Sequence, residues 1–128
     1  MPRISGVAIP DNKQVHIALT YVYGIGPKTS NDILTKAKVE PTVRAKDLTD
    51  SGISRIQEAI NDNYTVEGEL QRIVVGNIKR LKEINSYRGI RHKNNLPSKG
   101  QRTRTNGRTR RGRKVAVGGA QPKSASKT

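Results

Sequence analysis

The chain has 128 residues, a net charge of +15 and a pI near 10.7, which suits one domain plus appendages and makes nucleic acid the leading partner. It contains no cysteine, so disulfides and thiolate metal sites are excluded, and the isolated His16 and His92 make no metal centre. Met1-Pro2-Arg3 leads into no apolar run like a signal peptide, and no stretch approaches transmembrane length. The expectation is therefore a soluble, intracellular protein with no membrane partner and no cofactor.

Arg3 to Pro10 reads as a short extended segment stopped by proline. Asp11 or Asn12 is placed to cap a first helix, with Val15, Ala18, Leu19, Val22 and Tyr23 on one face. Gly24-Ile25-Gly26 ends it. Pro27 then opens a second helix that buries Ile33, Leu34 and Ala37 and stops near Val39 and Pro41. Two glycines around one apolar residue make a tight hairpin, with amides facing outward at the next helix's N-terminus and Lys28 beside them. Such a join suits a phosphate, and it equally suits a plain glycine stop between packed helices; the motif alone does not separate the two.

Val43 to Leu48 reads as a linker or strand. Thr49 or Asp50 caps a third helix with Ile53, Ile56 and Ile60 on one side, broken at Asp62-Asn63. A fourth and longest helix runs from Val66 to Ile84, its stripe formed by Val66, Leu70, Ile73, Val74, Ile78 and Leu81. Glu67 and Glu69 at its start, and Lys79, Arg80 and Lys82 near its end, complement the helix dipole. Glu69 and Arg72 are spaced to pair at i, i+3. Ser86 caps one further short turn carrying Tyr87, Ile90 and Arg91, with Tyr87 packing on the body and His92 serving as a neutral donor beside phosphate.

Charge separates the two parts of the chain. Residues 1–85 hold 12 Lys or Arg against 10 Asp or Glu, whereas residues 86–128 hold 13 basic residues and no acidic one. A nearly neutral helical body is thus followed by a basic tail, extended beyond Leu96-Pro97 and looser from Val115 to Thr128. Alone, such a tail buries too little to offset its ordering entropy. Arginine dominates it, at Arg88, Arg91, Arg102, Arg104, Arg108, Arg110, Arg111 and Arg113, against Lys93 and Lys99. The planar guanidinium grips phosphate oxygens in pairs and stacks on bases. In an extended chain Arg102 and Arg104 share one face, opposite Thr103 and Thr105, while Gln101, Asn106 and Thr109 add short donors among turn-forming glycines. The bland reading of the same run is a solubility or localisation tail.

The fold class is mainly α, with a small helical body and a long extended basic C-terminal tail. No triad, metal cluster, Walker loop or dinucleotide fingerprint is present, so nothing points to an enzyme. Ten phosphate contacts would give a log–log salt slope of about −7 to −9. With four tyrosines as the only aromatics, base-stacking platforms are disfavoured, and no helix presents a row of base-reading side chains. Backbone and shape recognition of folded RNA fits best; a DNA-binding nucleoid or repair accessory factor using the glycine hairpin is the alternative.

The blocks Arg3-Ile4-x-Gly6-Val7-x-Ile9-Pro10, Ala18-Leu19-Thr20, Tyr23-Gly24-Ile25-Gly26, Val66-Glu67-Gly68-x-Leu70 and Ile78-Lys79-Arg80-Leu81 carry a family resemblance. More specific still are Tyr87-Arg88-Gly89-Ile90-Arg91-His92, Leu96-Pro97 and Gly100-Gln101-Arg102-Thr103-x-Thr105-Asn106-x-Arg108-Thr109-Arg110. Over nearly its whole length the chain resembles the bacterial-type small-subunit ribosomal protein thirteen family. That resemblance implies a body of the helix–two-turns–helix type in the head of the small subunit, in a cytoplasmic or organellar ribosome. It implies binding to the 3′ head domain of small-subunit rRNA, contact with small-subunit protein nineteen, a bridge to large-subunit protein five, and a tail reaching peptidyl-site tRNA. Carried over, Gly24, Gly26, Lys28, Arg88, Arg91, His92, Lys93, Lys99, Arg102, Arg104, Asn106, Arg108, Arg110, Arg111 and Arg113 face rRNA, and Lys114, Lys123 and Lys127 face tRNA. Two departures stand out: Lys93-Asn94-Asn95 replaces a more basic, glycine-containing step, and Gly107 stands where relatives commonly carry alanine.

Overall fold

A computed structural model describes residues 1–113; the three lysines expected to face tRNA, Lys114, Lys123 and Lys127, lie outside the described residues. The chain divides into one compact unit over Met1–Val75 and a second beginning at Gly76.

The first unit opens with a β-hairpin rather than a single extended segment. β1 (Arg3–Ile4) pairs antiparallel with β2 (Val7–Ala8) across a two-residue Ser5-Gly6 turn, in the register Arg3 to Ala8 and Ile4 to Val7. Both turn residues have positive φ, the backbone hand that two-residue hairpins need. Gln57 holds the turn from below: its Oε1 accepts the Ser5 N–H at 2.7 Å and its Nε2 donates to Ser5 Oγ at 3.3 Å.

The first helix is shorter than its periodicity suggested. α1 (Val15–Ala18) is one turn, continued by a 3₁₀ turn over Leu19–Tyr21. Neither Asp11 nor Asn12 caps it. Gln14 precedes it without a side-chain cap bond, and Asp11 lies 3.6 Å from the N-terminal amine. The stripe holds for Val15, Ala18, Leu19 and Val22, all buried, but Tyr23 is exposed because Val22 already leaves the helix in an extended conformation. α2 (Pro27–Ala37) buries Ile33, Leu34 and Ala37 as expected, together with Ser30, whose hydroxyl donates to the His16 carbonyl at 2.7 Å. It ends on Lys38 in the left-handed region. Val43 to Leu48 forms neither plain linker nor strand: Arg44 makes one bridge to Gln14, and Ala45–Asp47 is a 3₁₀ turn.

Thr49 caps α3 (Asp50–Asn63), its hydroxyl accepting the Gly52 N–H at 3.2 Å, and Ile56 and Ile60 are fully buried. Lys36 on α2 bonds Asn63 Oδ1 at 3.0 Å and stands 5.3 Å from the Tyr64 ring centre, joining the ends of the two helices. The core of the unit is aliphatic, built from both strands' surroundings, α1, α2 and α3. Full burial of one such Ile or Leu stabilises by roughly 1.5–3 kcal/mol.

α4 (Glu67–Glu83) is the long fourth helix, supplying residues to both units. Its stripe is not covered along its length. Val66 and Leu70 are half-buried, yet Ile73 and Val74 are 48% and 37% exposed. Glu69 and Arg72 form no ion pair among the described residues; the i, i+4 pair Lys79–Glu83, at 3.8 Å on the surface, is the one present on this helix. In the second unit α5 (Tyr87–Lys93) starts at Ser86, whose hydroxyl accepts the Gly89 N–H at 3.1 Å as the sequence predicts. Beyond Leu96-Pro97 the chain is not uniformly extended: α6 (Arg108–Arg111) adds one helical turn.

Candidate nucleic-acid interface

The glycine hairpin resolves into two different glycines. Gly24 has φ +102°, and a Cβ there would sit 2.7 Å from Leu70 Cδ2 and 3.3 Å from the Thr65 carbonyl oxygen. Packing against the start of α4 therefore requires glycine at this position. A reciprocal pair ties the same junction. The Tyr23 N–H donates to the Glu67 carboxylate at 2.7 Å, and the Glu67 N–H donates to the Tyr23 carbonyl at 3.0 Å. Sequence reasoning gave Glu67 only a dipole role; its clasp on Tyr23 is a contact between residues 44 apart that no local pattern signals.

Gly26 is bound by no such need. A Cβ would meet nothing within 4 Å, and its φ of −96° suits any residue. It precedes α2, where Ser30 N–H bonds the Gly26 carbonyl at 2.8 Å. The amides of Lys28 and Thr29, in the first turn, have no intrahelical carbonyl to reach, and the Lys28 side chain is exposed beside them. The open approach at Gly26, these amides and this cation together fit an external anion.

In the second unit the basic residues fall into two groups. Some donate inward. Arg91 Nε bonds the Pro97 carbonyl at 3.0 Å, and its guanidinium lies 5.6 Å from the Tyr87 ring centre. Arg110 bonds His92 Nδ1 at 3.1 Å, Arg108 bonds the Arg113 carbonyl at 3.3 Å, and Arg111 bonds the Thr103 carbonyl. Since arginine only donates, His92 Nδ1 is the acceptor in this bond. Others are unengaged: among the described residues the exposed side chains of Arg88, Lys93, Lys99, Arg102, Arg104 and Arg113 make no hydrogen bond or ion pair. Arg102 and Arg104 are exposed and Thr103 half-buried, but Thr105 is exposed too, so the expected alternation stops where the chain bends at Arg104 and Thr105.

Tyr87 does not pack as expected. It is 64% exposed, with Arg91 over its ring, because the cap at Ser86 turns the helix so that Gly89 is buried instead. A Cβ on Gly89 would come 2.0 Å from the Leu81 carbonyl oxygen and 2.4 Å from its carbon. The backbones of α4 and α5 therefore touch there, and Ser86 Oγ donates to the same Leu81 carbonyl at 3.0 Å.

The folding back of the basic segment also creates a hollow of about 580 Å³, around Pro97, Lys99, Arg102, Asn106, Thr109 and Arg110. Its wall has three cations, the polar side chains of Ser98, Gln101, Asn106 and Thr109, and no carboxylate, a composition for a phosphate group and not for a cation. An extended-ribbon reading could not find it, because it exists only where Gly107 returns to Pro97. Among the described residues no group of acidic, His or Cys side chains is placed to hold a metal, and no helix is long and apolar enough to cross a membrane.

Comparison with known proteins finds a matching family and close relatives. A family profile described as Ribosomal protein S13/S18 matches residues 3–109. Proteins named Small ribosomal subunit protein uS13 from two strains of Dehalococcoides mccartyi are each 53% identical over 128 residues, covering 99% of both chains. The protein of the same name from Endomicrobium trichonymphae is 50% identical over 127 residues, covering 99% of this chain and 98% of its own.

Proposed function

This chain belongs to the ribosomal protein S13/S18 family, and we propose that it is a structural, non-enzymatic constituent of the small ribosomal subunit that binds small-subunit rRNA. The observation that carries this reading is similarity at about half of all positions to named small-subunit proteins, from end to end of both chains. The charge distribution supports it independently, since the basic segment from Ser86 onward contains no acidic residue.

In the finer reading, a body over residues 1–85 carries a tail over residues 86–128. The body docks in the head of the subunit, on the 3′ domain of the rRNA and beside small-subunit protein nineteen, and it contributes to the bridge with large-subunit protein five. Gly26 and Lys28 meet one phosphate at the start of α2, with Gly24 shaping the loop. Arg88, Lys93, Lys99, Arg102, Arg104 and Arg113 meet others directly. Arg91, His92, Asn106, Arg108, Arg110 and Arg111 hold the folded-back segment and line its approach. Lys114, Lys123 and Lys127 extend towards peptidyl-site tRNA.

The test is equilibrium binding of the full chain to a folded rRNA fragment of the head domain and to duplex DNA, across a salt series. Preference for the rRNA, with a log–log slope of about −7 to −9, is the expected result. Preference for bulk duplex DNA, or failure to cosediment with small subunits, would overturn the assignment.

A further inference from the structure

The chain has nine asparagines, and in eight of them the next residue's amide is already engaged. Asn31, Asn61 and Asn77 are followed by residues inside α2, α3 and α4. After Asn12, Asn63, Asn85, Asn94 and Asn95, the amides of Lys13, Tyr64, Ser86, Asn95 and Leu96 donate to the carbonyls of Pro10, Ile60, Leu81, His92 and Arg91. Asn106 is the exception. It precedes Gly107, whose N–H meets no acceptor among the described residues, and both lie in left-handed backbone at φ +63° and +70°.

We propose that Asn106-Gly107 is a site of spontaneous deamidation. The deprotonated Gly107 nitrogen attacks Asn106 Cγ, the new N–Cγ bond forms, the Cγ–Nδ2 bond breaks, and ammonia leaves with the proton from Gly107. Water then opens the five-membered imide at either carbonyl, giving aspartate or isoaspartate; no oxidant or reductant takes part. Three features favour the attack. Asn106 is exposed, Gly107 has no Cβ to hinder rotation of its nitrogen towards Cγ, and Arg104 and Arg108, two residues away on either side, favour the amide anion. The product places a negative charge in the wall of the Lys99–Arg102–Arg110 hollow, the first acidic side chain from Ser86 onward in the sequence. It draws the neighbouring guanidiniums inward and repels phosphate. This consequence rests on the RNA-binding reading; the chemistry itself does not.

Incubating the purified full chain at mildly alkaline pH, with peptide mass spectrometry over time, tests the chemistry. Asn106 should convert first and to both products, while Asn85-Ser86, exposed in sequence type but bonded at its amide, serves as internal standard. Gly107→Ala should slow conversion several-fold and Asn106→Gln should abolish it. Conversion first at another asparagine, or an unchanged rate in Gly107→Ala, would overturn the proposal. Binding of Asn106→Asp to the rRNA fragment tests the consequence: its salt slope should flatten by about one contact's worth, and a slope equal to the parent's would overturn it. If the parent itself fails to bind while Asn106 still converts, the functional reading fails and the deamidation site stands.

Discussion

Between Ile4 and Ile60 the chain buries thirteen apolar residues, whereas from Gly76 to Arg113 its buried positions are Gly89 and Pro97. The first unit is organised by removing aliphatic side chains from water, an effect that salt and polyanions barely touch. The second is organised by a close backbone crossing and by side-chain donors on carbonyls: Arg91 on Pro97, Arg111 on Thr103, Ser86 on Leu81. Each such bond is worth only about 0.5–1.5 kcal/mol net, because water competes for both partners. Surrounding phosphates would act chiefly on the second unit's energetics and little on the aliphatic core of the first. Under the proposed function, the first unit is chiefly a folded support and the second chiefly the ligand for RNA.

The contrast can be broken by mutation. Leu34→Ala should be the most damaging change, destabilising the first unit by roughly 2–5 kcal/mol in a denaturant melt of the whole chain, with or without RNA. A change under 1 kcal/mol would mean that the aliphatic cluster is not the source of stability. Gly89→Ala should come next, at about 1–3 kcal/mol, because a methyl group cannot occupy the space held by the Leu81 carbonyl. Hydrogen exchange should place the loss in α5 and the end of α4, leaving α2 and α3 protected. Replacing a cap, Thr49→Ala in one unit or Ser86→Ala in the other, should lower stability by about 1 kcal/mol each. The Ser86 effect should shrink when RNA is bound, and equal effects in both states would argue against the distinction. Arg102→Ala with Arg104→Ala should move stability least, within about 0.5 kcal/mol. The same pair should flatten the RNA salt slope by about two contacts' worth.

Much of this architecture was readable in the residues. Helix periodicity located α2, α3 and α4 closely, and the Thr49 and Ser86 caps followed from a hydroxyl placed before an apolar run. Misreadings arose where tertiary contact decides the outcome. A five-residue stripe at helical spacing made α1 seem longer than one turn, because Val22 satisfies the same burial from an extended backbone. The stripe of α4 correctly marked an apolar face but carried no information on which part of it would be covered. Within the interface, residue type named the cations. It could not say which of them turn inward, as Arg91 and Arg110 do, since that depends on carbonyl and imidazole acceptors brought near by the return at Gly107. The same limit applies to Gly24, whose neighbour Leu70 lies 46 positions away and is invisible to any local motif.

Among the described residues, all of the buried aliphatic positions precede residue 61. During synthesis the amino-terminal part emerges first and can close its interior before the basic segment has emerged. The cationic residues consequently meet surrounding polyanions only after they are fastened to a finished globule. Stray capture by messenger or transfer RNA then tethers a folded protein instead of trapping a half-made one.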